Sequence, residues 1–156
     1  MQPDTILILL VIFLQISYND SNSETSSNSE RKESKIMKFI TIGELLMRLS
    51  PPDYEKIRTT SSYVVNFGGA EANVAVSLAN LGVDTTVFTV LPDNDIGRSA
   101  VRSLKANDVH TKHIIKADGR MGLYYLEEGV SVRPSQVIYD RSGSAFAEYD
   151  YKLSLI

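Results

Sequence analysis

The sequence NFGGAEANVAVSLANLG, residues 66–82, predicts the end of a strand, a glycine turn and one helix. Gly68 and Gly69 let the backbone turn tightly and approach a ligand without a side chain in between. From Ala70 onward the residues favour a helix, and Gly82 stands where a left-handed C-terminal residue belongs. The free amides of the helix start would face whatever lies over the glycine pair. The pair alone is equally compatible with a tight turn that holds no ligand.

This helix has two stripes of different character. The apolar stripe holds Val74, Leu78 and Leu81, and the polar stripe holds Asn73, Ser77 and Asn80. A small and mostly apolar helix of this kind is expected to pack between other elements.

The amino-acid composition limits the classes of protein to which this chain can belong. The 156 residues are 43% hydrophobic and 22% charged, with a formal net charge of −3. These proportions are ordinary for a soluble globular protein, and the absence of a basic cluster argues against a nucleic-acid partner. Cysteine is absent, which excludes disulfides, thiolate metal sites and cysteine nucleophiles and suits a reducing cytosol.

Residues 1–36 form a leader that we expect to lie outside the fold. Its apolar run, residues 6–14, is shorter than the ~20 residues that a membrane-spanning helix needs. Residues 17–34 have the Ser, Asn and Glu composition of a disordered linker. Met37 precedes the first strand directly, so we expect a cytoplasmic protein that starts there, without a membrane partner. Secretion through a signal peptide in residues 6–16 is the alternative, and a weak membrane anchor comes third.

The remaining chain, residues 37–156, alternates strand and helix patterns. Strands are predicted at residues 38–43, 85–91 and 111–115, with an amphipathic helix at 96–107 between the last two. That helix should have Asp95 as its N-cap and place Ile96, Ala100 and Leu104 toward the core. This order predicts an α/β fold with a parallel sheet and right-handed crossovers.

Two further β-rich segments interrupt this pattern. Residues 45–67 hold two short apolar runs separated by Pro51 and Pro52, which predicts an antiparallel excursion outside the central sheet. Residues 121–141 hold another strand pair, at 121–127 and 136–141. The sequence is compatible with pairing of these strands with the excursion or with the main sheet.

Several polar residues are candidates for a site. Glu44 follows the first strand, so it falls at the rim of the crevice that open α/β sheets form there, although a solvated charge is the simpler interpretation of this residue alone. Tyr139 and Arg141 share strand parity and would project from one face. His110 and His113 lack a third ligand nearby, so we expect surface residues and no metal site.

The segment GGAEANVA at residues 68–75, with Gly82 closing the helix, resembles the N-terminal signature of the ribokinase-like (PfkB) sugar kinases. GELLMRLSPP at 43–52 and RPSQVIYDR at 133–141 resemble the 2-keto-3-deoxygluconate kinase branch of that family. The resemblance covers residues 37–148, the first part of an enzyme of roughly twice this length.

The resemblance implies the N-terminal part of a ribokinase-like three-layer fold with a small β lid, built from about 45–67, with 121–141 as a further candidate segment. It implies ATP-dependent phosphorylation of the sugar acid 2-keto-3-deoxygluconate, and a full-length enzyme that is a homo-oligomer through the lid. It also places a set of residues at or near sugar-contacting positions. These are Gly68, Gly69, Asn73, Tyr124, Tyr139 and Arg141.

The sequence lacks motifs that phosphoryl transfer requires. The family uses a later Gly-Ala-Gly-Asp segment as anion hole and catalytic base, and neither this segment nor a Walker motif occurs here. We therefore expect no catalytic residue in the chain, and ATP and Mg²⁺ sites only in a full-length enzyme. The alternatives are another PfkB sugar or nucleoside kinase and a non-catalytic sugar-binding fragment.

Overall fold

The computed structural model describes residues 11–12 and 38–151. The described residues form two four-stranded sheets, and the helices pack against strands of the first sheet. The strands are β1 Val11–Ile12, β2 Lys38–Ile42, β3 Leu46–Ser50, β4 Val64–Gly68, β5 Asp84–Pro92, β6 His110–Ala117, β7 Leu123–Glu127 and β8 Gln136–Asp140. The α-helices are α1 Ala70–Asn80, α2 Asp95–Lys105 and α3 Ala145–Glu148, with a 3₁₀ turn at Pro52–Tyr54.

The main sheet has the order β1-β2-β5-β6, in which β2, β5 and β6 are parallel. Helices α1 and α2 lie over one of its faces, where their small residues Ala75 and Ala100 are fully buried. Val87 and Leu91 of β5 meet the helices from the sheet side. The predicted α/β class with a parallel sheet is confirmed.

The second sheet, which we call the lid sheet, has the order β4-β3-β7-β8. β3 pairs antiparallel with β4 and parallel with β7, and β7 pairs antiparallel with β8. The two β-rich segments that interrupt the α/β pattern therefore pair with each other. β3 follows the carboxyl end of β2, and β7 follows the carboxyl end of β6. The lid sheet therefore starts at the edge of the main sheet where ligands bind in open α/β sheets.

Helix α2 differs from the prediction in two respects, its N-cap residue and the position of Ile96. Its N-cap is Asn94, whose side chain accepts a hydrogen bond from the Gly97 amide at 3.0 Å, while Asp95 is bound by Arg98 at 2.9 Å. Ile96 is 41% exposed, because the helix approaches the sheet through Gly97 instead. A Cβ at Gly97 would collide with the Pro92 carbonyl oxygen, so glycine permits this approach.

Helix α1 ends as predicted, since Gly82 has a φ of +81° and its amide donates to the Ala79 carbonyl at 2.8 Å. The expectation that α1 packs between other elements differs from the structure. Asn73, Ser77 and Asn80 are exposed, and Leu81 is 79% exposed, so the described residues cover only one side of the helix.

Two residues of the predicted leader, Val11 and Ile12, form a strand that pairs antiparallel with β2. This differs from the expectation that the leader stays outside the fold: an edge strand offers unpaired backbone groups, and the pairing satisfies them. The other residues of the leader lie outside the described ones. Within the described part of the chain, every helix falls short of the length and apolar character that crossing a bilayer requires.

Candidate functional site

The residues predicted to contact sugar lie together at the junction of the two sheets. Contacts link them in a closed ring. The Glu44 carbonyl lies against Gly69, and the Glu44 carboxylate binds Arg141. The ring then runs through two tyrosines and returns to Gly68 and Asn73. The seven candidates, which come from distant segments of the chain, thus form one structural unit; their contacts with a sugar stay a prediction.

The glycine pair is needed for close approach and not for backbone conformation. The φ of Gly69 is 171°, extended backbone that any residue adopts. A Cβ on Gly69 would lie 2.5 Å from the Glu44 carbonyl oxygen. A Cβ on Gly68 would come within 3.3 Å of the Tyr124 hydroxyl and 3.4 Å of Asn73 Oδ1. The tight turn that the sequence predicts at the pair is therefore a place where three chain segments meet.

One face of the lid sheet carries the aromatic part of the ring. Tyr124 and Tyr139 are cross-strand partners with ring centroids 5.8 Å apart. The Arg141 guanidinium carbon lies 5.9 Å from the Tyr139 ring centroid. Tyr139 is 63% exposed, which leaves its face and hydroxyl open to a ligand. The predicted projection of Tyr139 and Arg141 from one face agrees with this contact.

The structure shows that the interpretation of Glu44 as a solvated charge is wrong. It is only 6% exposed, and both carboxylate oxygens are bound. Arg141 Nε donates to Oε2 at 2.8 Å, and the Ser144 hydroxyl donates to Oε1 at 2.6 Å. The absence of a side chain on Gly122 makes room for the carboxylate, since a Cβ there would collide with Oε1. Glu44 is thus a buried, paired group at the centre of the ring.

Sequence reasoning missed two polar residues of this region. Ser144 caps α3 by accepting a hydrogen bond from the Ala147 amide at 3.2 Å. Its second bond, to Glu44, joins residues 100 positions apart and has no local signal. Arg48 stands in the cross-strand row Asn66–Arg48–Tyr124–Tyr139, on the same face as the ring tyrosines. Its buried Nε lacks a hydrogen-bond partner among the described residues.

Tyr151 lies next to this cluster. Burial, the Glu44 carboxylate and Tyr149, in that order, raise the pKa of Tyr151 from 10.0 to about 12. Its hydroxyl donates to the Phe146 carbonyl at 2.8 Å. The neutral phenol is therefore the form that the folded chain favours.

This pKa predicts a loss of stability in alkali. The folded chain keeps the Tyr151 proton between pH 10 and about 12, whereas the unfolded chain has released it. Stability from this group is therefore complete below pH 10 and falls as the pH rises through about 12. We expect Tyr151→Phe to be less stable than the parent at neutral pH, with a difference that shrinks above pH 10. Urea unfolding at several pH values measures this, and two parallel stability curves would contradict it.

The two histidines lie on β6, away from the ring. His110 Nε2 is 3.1 Å from Asp84 Oδ1, and both histidines are exposed. Residues 38–151 contain no group of three or more side chains with the geometry of a metal site.

A cavity of about 310 Å³ lies between α1 and α2. It is lined by Leu45, Phe67, Ala72, Asn73, Val76, Ser77, Ser103, Leu104 and Asn107. Asn73 is shared with the ring, so the cavity adjoins the ring near the start of α1.

Known proteins share this architecture. The profile of the pfkB family carbohydrate kinases matches residues 37–151, which confirms the resemblance seen at residues 68–75. A 2-dehydro-3-deoxygalactonokinase of Haloferax volcanii is 40% identical over 107 residues, 69% of this chain and 34% of that protein. The crystal structure of 2-dehydro-3-deoxygluconokinase from Thermotoga maritima matches with a TM-score of 0.72 and 46% identity, over 74% of this chain and 36% of that one. A PfkB family carbohydrate kinase from Listeria grayi gives 0.68 and 44%, over 74% and 37%. The chain spans about a third of the length of these relatives.

Proposed function

Because the chain belongs to the pfkB family of carbohydrate kinases, we propose that it is the sugar-binding part of a kinase for 2-keto-3-deoxygluconate. The proposed reaction of the whole enzyme is ATP-dependent transfer of a phosphoryl group to a hydroxyl of this sugar acid. The chain contributes recognition of the acid.

The observation that carries the proposal is the state of Arg141. Its Nε is occupied by Glu44, and its two terminal nitrogens make no hydrogen bond to any described residue. The side chain is 38% exposed and lies beside the exposed Tyr139 ring. A planar cation with two open donors fits a carboxylate in bidentate geometry, and the aromatic face suits a carbon skeleton. The relatives named for deoxy sugar acids support the same substrate class.

A competing substrate is the galactonate epimer, for which the Haloferax volcanii relative is named. Both epimers carry the carboxylate that Arg141 would bind, so both belong to the proposed class. A neutral sugar or a nucleoside, as other family members would take, leaves the two open donors of Arg141 without an anionic partner. Binding of the acid in preference to its neutral carboxamide therefore distinguishes a sugar acid of either epimer from a neutral sugar or a nucleoside.

ATP and Mg²⁺ are the cofactors that the proposed reaction needs, and the residues of this chain do not fit them. The sequence has neither the Gly-Ala-Gly-Asp segment nor a Walker motif to hold phosphates. The described residues also offer no acidic cluster for the metal. Sugar binding is therefore the role proposed for this chain, and no step of phosphoryl transfer is assigned to it.

We predict binding without turnover. The 156-residue chain should bind 2-keto-3-deoxygluconate in an NMR titration and prefer it to the carboxamide, because only the acid pairs with Arg141. With ATP and Mg²⁺ present it should release no ADP in a coupled assay, because it lacks an anion hole and a base. Turnover clearly above a heat-killed control would overturn the second part, and equal affinity for acid and carboxamide would overturn the first.

We further propose that residues 45–67 and 121–141 act as the lid, and that a second copy of the chain covers its outer face. The cross-strand row Val65–Leu49–Tyr125–Ile138 lies on the face opposite the ring. Val65 is 51% and Ile138 44% exposed. Exposed apolar rows on a sheet face favour association, because pairing removes them from water.

A further inference from the structure

Glu44 lies directly behind Arg141 and carries a negative charge close to the place where an anionic substrate would bind. By charge alone it would weaken the binding of an acid. We propose that Glu44 and Ser144 are positioning residues, which fix the Arg141 guanidinium so that its two terminal nitrogens face the substrate carboxylate. This inference rests on the proposed function and assigns a role to two residues that would not touch the sugar.

Glu44 is held firmly in its place. Its side chain is 3% exposed and lies between the Ser144 hydroxyl and the bare Cα of Gly122. The Ser144 hydroxyl is itself fixed, because it donates to Glu44 and accepts from Ala147 at the start of α3. Ser144 is 1% exposed. The acceptor for Arg141 is therefore immobile and dry, and a charge-assisted bond in such surroundings is stronger than one at the surface.

The nitrogen that Glu44 binds determines which part of Arg141 stays open. Arginine can present a carboxylate with the pair formed by Nε and one terminal nitrogen, or with its two terminal nitrogens. Glu44 takes Nε at 2.8 Å, so the end-on pair is left for a ligand. Fixing the guanidinium in advance also lowers the entropy lost when a flexible side chain binds its ligand.

The neighbouring carboxylate of Asp140 is engaged elsewhere. Asp140 precedes Arg141 in the chain, and Arg120 binds the Asp140 carboxylate at 2.6 Å. Arg120 also donates to the Ser142 carbonyl at 2.6 Å and thereby holds the backbone on both sides of Arg141. The chain thus restrains Arg141 at its backbone through Arg120 and at its side chain through Glu44.

The test is Glu44→Gln, because the two roles of Glu44 predict opposite results. If its charge only repelled the substrate, removing it would strengthen acid binding. If it positions Arg141, the acid should bind about tenfold more weakly, by analogy with the loss of a partner that orients a metal ligand. Binding of the carboxamide should not change. In an NMR spectrum of the free chain, the Arg141 Nε–H proton should exchange slowly in the parent and faster in the variant, because the neutral amide oxygen of glutamine accepts a weaker hydrogen bond than a carboxylate does.

Matched controls accompany the variant. Glu148→Gln removes one negative charge from an exposed residue of α3 and should leave acid binding unchanged. Ser144→Ala keeps the Glu44 charge and removes one of its two restraints, so it should weaken acid binding less than Glu44→Gln does. Ser142→Ala, an exposed serine two residues away, should have no effect. If Glu44→Gln does not fold, the pair of serine variants decides between the two roles.

The outcomes separate the positioning role from the proposed function. Unchanged or tighter acid binding in Glu44→Gln, with the Arg141 Nε–H proton exchanging as slowly as in the parent, would overturn the positioning role while the proposed function stands. If the parent itself binds acid and carboxamide equally, the proposed function fails, and the Nε–H signal alone then shows whether Glu44 orders Arg141.

Discussion

Replacing Arg141 with alanine is expected to weaken binding of 2-keto-3-deoxygluconate to this chain by about tenfold or more. Losing one partner of a buried charge pair costs about 2–5 kcal/mol, and the partly exposed Arg141 should give the low end of this range, where about 1.4 kcal/mol is already a factor of ten. The parent guanidinium has two open terminal nitrogens and a fixed orientation from Glu44. The alanine variant has no donor at that place. NMR titration of both chains with the acid and with its carboxamide measures the effect.

Two variants show whether geometry or charge causes the loss. Arg141→Lys keeps the charge without the planar fork, so it should recover only part of the affinity. Arg98→Ala removes a positive charge from an exposed ion pair with Asp95, outside the ring, and should leave binding unchanged. Equal losses for acid and carboxamide in Arg141→Ala would mean that Arg141 supports the local structure, and the carboxylate assignment would then be dropped.

The second large effect is expected at Gly69, where alanine should lower both stability and acid binding. The added Cβ would lie 2.5 Å from the Glu44 carbonyl oxygen, and a backbone atom cannot rotate away as a side chain end can. Overpacking of this kind typically costs about 1–3 kcal/mol. The displaced Glu44 also carries the acceptor for Arg141, so the steric effect should reach the predicted carboxylate site. Urea unfolding gives the stability, and titration with the acid gives the binding.

Gly82→Ala is the contrasting control. A Cβ added at Gly82 would have no neighbour within 4 Å, so the φ of +81° alone penalises alanine there. Stability should fall in this variant, while acid binding should not change, because the C-terminal end of α1 is not in contact with the ring. A Gly69→Ala chain with parental stability and parental binding would contradict the close-approach explanation.

Local sequence determined the elements and some of their special residues. The helix start at Ala70 and the left-handed Gly82 follow from propensity and from the freedom of glycine, which act within a few residues. The strands at β2, β5 and β6 follow from short runs of β-branched and aromatic residues. The shared face of Tyr139 and Arg141 follows from the two-residue repeat of a strand. The pattern also separated residues 45–67 from the main sheet, because prolines interrupt them, but it left the pairing of residues 121–141 open.

Tertiary structure alone decided how these elements are used. The bond between Glu44 and Arg141 joins residues 97 positions apart, so no periodicity or spacing in the sequence predicts it. A carboxylate that follows a strand is therefore interpreted as solvated when its distant partners are not known. Gly69 and Gly97 are needed where another segment's carbonyl comes close, which a helix or turn pattern does not contain. Ile96 is exposed because Gly97 sets the rotation of α2 on the sheet. Sequence therefore named seven residues of the candidate site and missed Ser144 and Arg48, and packing between distant segments determined which residues are buried, paired or open to a ligand.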